Sequence, residues 1–291
     1  MALVTMKEML TEARKGGYAV GAFEFWSCDS AKAVVDTAEK MGMPVILQVG
    51  HFERDYMDGY LNAYRIACMA AERVHVPVAL HLDHATEYSE ILSALRAGFS
   101  SVMIDASAKP FEDNIWITKE VVELAGHFGA SVEAELGQLA GKEGDFSCAA
   151  DLLTDPESAE EFVERTGIDA LAVAIGTAHG FYKSTPHIDI GRMEEIAARV
   201  SIPLVLHGGS GTPDEKVTAA IDRGISKVNI CTEFIEAFAV GMKEAGEKQD
   251  FSYNVEQLFR SGRVKAERLV ESKMKLFANG KSMAEKTNRC G

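Results

Sequence analysis

Residues 202–230 read IPLVLHGGSGTPDEKVTAAIDRGISKVNI. The stretch holds a compact apolar run (203–206), a glycine-rich turn, an amphipathic segment (214–223) stopped at Gly224, and a second β-branched run (226–230). That is one strand–helix–strand unit. The same unit recurs upstream, with candidate strands at 18–25, 44–49, 78–82, 101–104, 131–136 and 170–175. Amphipathic stretches at 30–41, 88–97, 111–128, 156–166 and 192–200 lie between them. Eight strands, each followed by helical sequence, predict an α/β fold of the (β/α)8 TIM-barrel type. An open doubly wound sheet is the alternative, but no dinucleotide glycine motif accompanies the strands.

Punctuation supports the division. Gly98, Gly129, Gly167 and Gly224 each stand between a helical stretch and a strand, where a left-handed residue ends a helix. Asp155-Pro156 opens one helix, and Thr212 ahead of Pro213 and two acids is expected to cap another. No linker or composition break divides the 291 residues, which read as a single domain with 234–291 as a C-terminal helical extension.

Acids outnumber bases 44 to 30, a net charge of −14, which argues against nucleic-acid binding because phosphates would be repelled. No apolar run approaches the roughly 18–20 residues of a membrane span. The first residues carry no signal-peptide core, and the odd, scattered set Cys28, Cys68, Cys148, Cys231 and Cys290 suggests reduced thiols,. These features predict a cytoplasmic protein.

In such barrels the reacting groups sit where strands end and loops begin. Three histidines fall there: His84 after the third predicted strand, His179 after the sixth, His207 after the seventh. Three imidazoles around an open fourth position describe a catalytic zinc site. His81 alternates to the opposite side from Leu80 and Leu82 and is read as structural. The turn His207-Gly208-Gly209-Ser210-Gly211-Thr212, leading into a helix, presents backbone N–H groups to an anion, as expected of a phosphate site,. Asn229 and Thr232 add donors at the eighth strand end. Asp83 and Asp105 are acids at strand ends, and Glu133 and Glu135 share one face of the fifth strand. The glycine-bearing segment 137–151 is expected to act as a mobile lid,.

Taken together, residues 80–84 (LHLDH), 103–107 (MIDAS), 132–137 (VEAELG), 174–180 (AIGTAHG), 206–211 (LHGGSG) and 227–233 (KVNICTE) resemble the class II, zinc-dependent ketose-bisphosphate aldolases, near the fructose- and tagatose-bisphosphate enzymes. The resemblance implies a barrel, dimeric or tetrameric, that reversibly cleaves a ketose phosphate into dihydroxyacetone phosphate and an aldehyde. It implies that His84, His179 and His207 bind Zn2+. Asp83 would handle the C4 hydroxyl proton, and Glu143 would exchange the proton on the dihydroxyacetone phosphate carbon. Asp105 and Glu135 would orient ligands or hold the metal at an alternate position. Gly180, Gly208, Ser210, Asn229 and Thr232 would surround the three-carbon phosphate, and a monovalent cation (Na+ or K+) would sit near the glycine loops.

Two positions depart from the pattern. Glu24 stands where relatives commonly have Asn, and Gly50 where fructose-bisphosphate enzymes place Ser or Thr. Both belong to the aldehyde half, which predicts an acceptor other than glyceraldehyde 3-phosphate. Arg260 and Arg263 are candidates for a group that reaches a neighbouring subunit's distal phosphate. Rival readings are a Schiff-base aldolase using Lys227 or Lys183, a metal-dependent hydrolase barrel, and a non-catalytic companion subunit of an aldolase complex.

Overall fold

Eight parallel strands close on themselves in strict chain order, each hydrogen-bonded to the next and the last to the first. The computed structural model describes residues 3–138, 140–143, 146–148, 153–180, 182, 186–248 and 254–281. Its first half runs α1 (Met6–Gly16), β1 (Val20–Glu24), α2 (Cys28–Met41), β2 (Val45–Val49), α3 (His51–Tyr56), α4 (Tyr60–Ala71), β3 (Val78–Ala85), α5 (Tyr88–Ala97), β4 (Ser101–Ile104), α6 (Phe111–Phe128) and β5 (Ser131–Leu136). The second half runs β6 (Ala140–Glu143), β7 (Phe146–Cys148), α7 (Pro156–Thr166), β8 (Ala170–Val173), β9 (Ala178–His179), α8 (Ile190–Arg199), β10 (Leu204–Leu206), α9 (Asp214–Ile221), β11 (Ile225–Ile230), α10 (Thr232–Lys248) and α11 (Val255–Phe277). The barrel is β1-β2-β3-β4-β5-β8-β10-β11, so the predicted (β/α)8 architecture is the observed one.

Strand alternation explains what the barrel holds. Leu80, Leu82, Val132, Ala134, Val228 and Ile230 are buried and apolar, as expected of the wall that faces the helices. The alternate residues meet across the interior: His81 and Asp83 from β3, Glu133 from β5, Lys227 and Asn229 from β11. A charged interior of this kind is stable only when its groups are paired and hydrogen-bonded.

Three local expectations need correction. The sixth barrel strand ends at Val173 rather than at 175, and His179 sits on the short β9, outside the barrel. The segment expected as a glycine lid contains two short strands: β6 pairs with β7 antiparallel and with β9 in parallel. Thr212 does not cap α9. Its hydroxyl binds the carbonyl of Gly208 at 2.9 Å and faces the Tyr182 hydroxyl at 3.0 Å, tightening the glycine turn instead, while Pro213 takes the cap position with no side-chain bond. By contrast, Asp155 does cap α7, accepting from the Ser158 amide at 2.8 Å.

The C-terminal extension is a pair of helices, α10 and α11, beginning at Thr232. Phe277, fully buried, closes the N-terminal end of β1, where its carbonyl accepts from the Ala19 amide at 2.9 Å.

Candidate active site

His84 should point out of the barrel, because Asp83 before it points in. The backbone overrides the alternation. His84 adopts a left-handed φ of 46°, and the β3–β4 register breaks between Leu82 and Ala85. A bulge re-aims a side chain in this way, and a left-handed non-glycine residue of this kind is a feature of functional sites. The ring turns inward, where its Nδ1 donates to Asp105 Oδ2 at 3.0 Å.

His207, at the end of β10, approaches from the opposite wall. Its Nε2 donates to Glu133 Oε1 at 2.8 Å, and its Nδ1 lies 2.8 Å from His84 Nε2. His179 completes the triangle, with ring centroids 5.0 Å from His84 and 6.0 Å from His207. One ring nitrogen from each lies within 4.8 Å of the others. For His84 and His207 the outward nitrogen is tied to a carboxylate, which fixes tautomer and ring orientation as in histidine metal sites. Each inward nitrogen is left facing the common centre.

Acids surround this triangle. Asp83 is buried and accepts from Gln48 Nε2 at 3.2 Å, with Asn229 Nδ2 at 3.3 Å from both its oxygens. Burial opposes its ionisation, but His84, His81, His207 and Lys227 outweigh this and hold it well below the usual carboxylate range. Asp105, against the same opposition, is pulled down to about 2 by the His84 and Ser107 hydrogen bonds. His84 is pushed up to about 10, because Asp83, Asp105 and Glu135 overcome its own burial. His179 and His207 move the other way, lowered by burial and by the charge on His84. The centre thus favours a cationic His84 with neutral His179 and His207, beside the carboxylates of Asp83, Asp105 and Glu133. A divalent cation fits that donor set and that excess of negative charge.

Glu135 also reaches the centre: one of its oxygens groups with His84 and Asp105 as a second candidate ligand set. Burial, then Asp105, raises its carboxyl well above the usual range, and its Oε2 has no hydrogen-bond partner among the described residues. Glu133 lies deeper, between His207 and Lys227, with Nζ at 2.8 Å. Lys227 is thus an ion-pair partner. His81 bonds Ser101 through Nδ1 at 2.9 Å, and with Asp83 and Glu133 it forms a further group that could hold a metal.

The glycine turn closes against β9. Gly208 has φ 66°, and a Cβ there would lie 2.4 Å from the Ala178 carbonyl oxygen, so only glycine lets the His207 and His179 backbones approach this closely. Gly180 follows His179 directly. Ser210 Oγ accepts from the Glu233 amide at 3.3 Å, and Thr232 begins α10 beside it. Glu24 and Gly50 end β1 and follow β2, next to Asp83. Glu143 ends β6, but its side chain lies outside the described residues, as does Lys183. Arg263 is paired with Asp36 at 2.6 Å and Glu267 at 2.7 Å in its own chain, and Arg260 is exposed on α11.

Two groups escaped the sequence reading. Glu53 folds back from α3 to accept from the Gly50 amide at 3.2 Å, and the Cys231 thiol bonds Glu24.

A family model described as "Fructose-bisphosphate aldolase class-II" matches residues 4–281. The chain is 42% identical to a fructose-bisphosphate aldolase of Geobacillus stearothermophilus over 98% of its length and 100% of the relative's. It is 39% identical to one of Staphylococcus epidermidis over 95% and 98%. The crystal structure of the YdjI aldolase from Escherichia coli K12 superposes with a TM-score of 0.85 at 36% identity, covering 97% of this chain and 100% of that one. Whole-length matches of this kind decide what the histidine-lined barrel left open: the chain belongs to the class-II fructose-bisphosphate aldolases, carbon–carbon lyases.

Proposed function

We propose that this chain is a zinc-dependent aldolase that reversibly cleaves a ketose phosphate into dihydroxyacetone phosphate and an aldehyde other than glyceraldehyde 3-phosphate. The observation that carries the reading is the convergence of His84, His179 and His207 beside the ionised Asp83.

His84, His179 and His207 hold the ion, with Asp105 and Glu133 orienting the first and last and Glu135 offering an alternate ligand. When bound, zinc supplies a Lewis acid for the negative charge that develops on the ketone oxygen. In the cleavage direction Asp83 takes the proton of the C4 hydroxyl. The C3–C4 bond then breaks, the aldehyde leaves, and the electron pair stays with the three-carbon half. Glu143 returns a proton to C3. Gly180, Gly208, Ser210, Asn229 and Thr232 hold the phosphate, fixing C3 relative to Asp83, with Na+ or K+ close to the glycine turn. The aldehyde half faces Glu24 and Gly50, which offer a carboxyl and no hydroxyl. No helix among the described residues is long and apolar enough to cross a membrane. The reading takes the enzyme as a cytoplasmic homodimer or homotetramer.

Metal analysis of the purified chain, with cleavage assays on fructose and tagatose 1,6-bisphosphates and on ketose monophosphates, tests this. Bound zinc with turnover of a monophosphate is expected. Efficient turnover of either bisphosphate overturns the acceptor assignment, and absence of turnover with zinc bound favours the companion-subunit alternative.

A further inference from the structure

Beside Asp83, the barrel mouth over three adjacent strands is built by Cys231 after β11, Glu24 on β1, and Gln48, Gly50 and Glu53 on and after β2. Glu24 and Glu53 are both buried, at 4% and 8% exposure. Both are seated against the bare side of Gly50: a Cβ there would lie 3.1 Å from Glu53 Oε2 and 3.5 Å from Glu24 Oε1. Cys231 stands beside Glu24.

Among the described residues no lysine or arginine is ion-paired to Glu24 or Glu53. The groups facing Glu24 are Glu53, Asp83, Cys231 and His84, and His84 is committed to the metal in the reading above. Arg54, next in sequence to Glu53, is turned away to Asp55 at 2.7 Å and Glu90 at 2.6 Å. Gln48, in register with Glu24 and fully buried, donates to Asp83 while its own Oε1 is buried without a partner. A buried acceptor left open beside carboxyl oxygens calls for a ligand that donates hydrogen bonds. Hydroxyl groups do so, and a phosphate dianion does not.

We propose that Glu53 is a specificity-determining residue: paired with Glu24, it offers carboxyl oxygens to the hydroxyl groups of an uncharged, hydroxylated acceptor aldehyde and rejects a phosphorylated one. The inference rests on the aldolase reading and deepens it. Asp83 handles the proton on the oxygen that was the aldehyde's, so the side chains beside Asp83 meet the rest of the aldehyde. Removing one hydrogen-bond acceptor from such a wall erodes discrimination several-fold.

The test uses the full-length, zinc-loaded protein, adding dihydroxyacetone phosphate to D-glyceraldehyde or to D-glyceraldehyde 3-phosphate. Wild type is expected to prefer the uncharged aldehyde by about tenfold or more in kcat/KM. Glu53→Gln, of the same shape, is expected to shrink that preference several-fold by raising KM for glyceraldehyde, and Glu24→Gln to shift it the same way. A wild-type preference for the phosphorylated aldehyde overturns the proposal, as does an equal change for both aldehydes in the two variants. If Glu53→Gln fails to fold, the wild-type ratio and Glu24→Gln decide. Exchange of the dihydroxyacetone phosphate C3 hydrogen with D2O needs no aldehyde and separates the two failures. Exchange without selectivity sinks this inference alone; no exchange sinks the aldolase reading with it.

Discussion

Glu133 and Lys227, 94 residues apart in sequence, meet at 2.8 Å inside the barrel with both side chains fully buried, and the other oxygen of Glu133 receives the N–H of His207. Lys227 neutralises the carboxylate, drawing it down to about 2 against the opposition of burial, and the carboxylate in turn orients a metal-candidate imidazole. Lys227→Met is therefore expected to leave a buried charge unpaired, at a cost of about 3–5 kcal/mol. Zinc affinity should fall about 10–100-fold as His207 loses its support. Denaturant unfolding and chelator competition measure both. The double variant Lys227→Met/Glu133→Gln should recover much of the stability; if it is no better than the single one, the ion-pair account is wrong.

The same contact disposes of Lys227 as a covalent catalyst. A Schiff-base amine must reach the substrate's carbonyl carbon, whereas Lys227 Nζ is held by Glu133 Oε2 at 2.8 Å with no exposure. Dialysis against EDTA is expected to abolish cleavage and added Zn2+ to restore it, while borohydride in the presence of dihydroxyacetone phosphate leaves the enzyme active. Resistance to EDTA together with borohydride inactivation would reverse the assignment.

The barrel was legible because parallel strands buried on both faces leave short, dense apolar runs separated by glycine-stopped helices. His207 was legible for the same reason, standing directly after such a run. His84 was found by its place in the chain, yet alternation alone would have aimed it outward; the bulge and left-handed backbone that turn it in leave no pattern in composition. Glu53 was invisible, because a glutamate in the first turn of a short helix reads as a solvated residue until the helix is folded back over β2. Lys227 read as an amine in search of chemistry, since its partner on β5 comes within reach only when the sheet closes.

Gly208 couples two of the three histidines through backbone contact. A Cβ at this position would press on the Ala178 carbonyl at 2.4 Å, next to His179, while also straining φ. Gly208→Ala should therefore separate His179 from His207 and cost about 100-fold in turnover, as displacements near 1 Å do at a reacting centre, along with weaker zinc binding. Gly42→Ala is the control: its φ is also positive at 63°, but an added Cβ meets nothing within 4 Å. That variant should lose about 1 kcal/mol of stability for the backbone strain with metal affinity intact. Equal effects of the two variants on zinc binding would contradict the coupling.

Glu24 gives the fold a pH signature. Burial, then Glu53 and Asp83, raise its carboxyl well above the usual value, outweighing the Cys231 bond and the attraction of His84. The folded state thus binds a proton that the unfolded chain releases near its ordinary pKa of about 4.3. Stability linked to that proton is complete below the unfolded value and drains away as pH rises through the folded one. Glutamine at this site carries no such proton, so Glu24→Gln should gain on wild type steadily as pH rises above the unfolded value of about 4.3. Urea midpoints of the two proteins across that range, with and without zinc, measure it. A difference that stays flat with pH would mean that Glu24 is ionised in the fold.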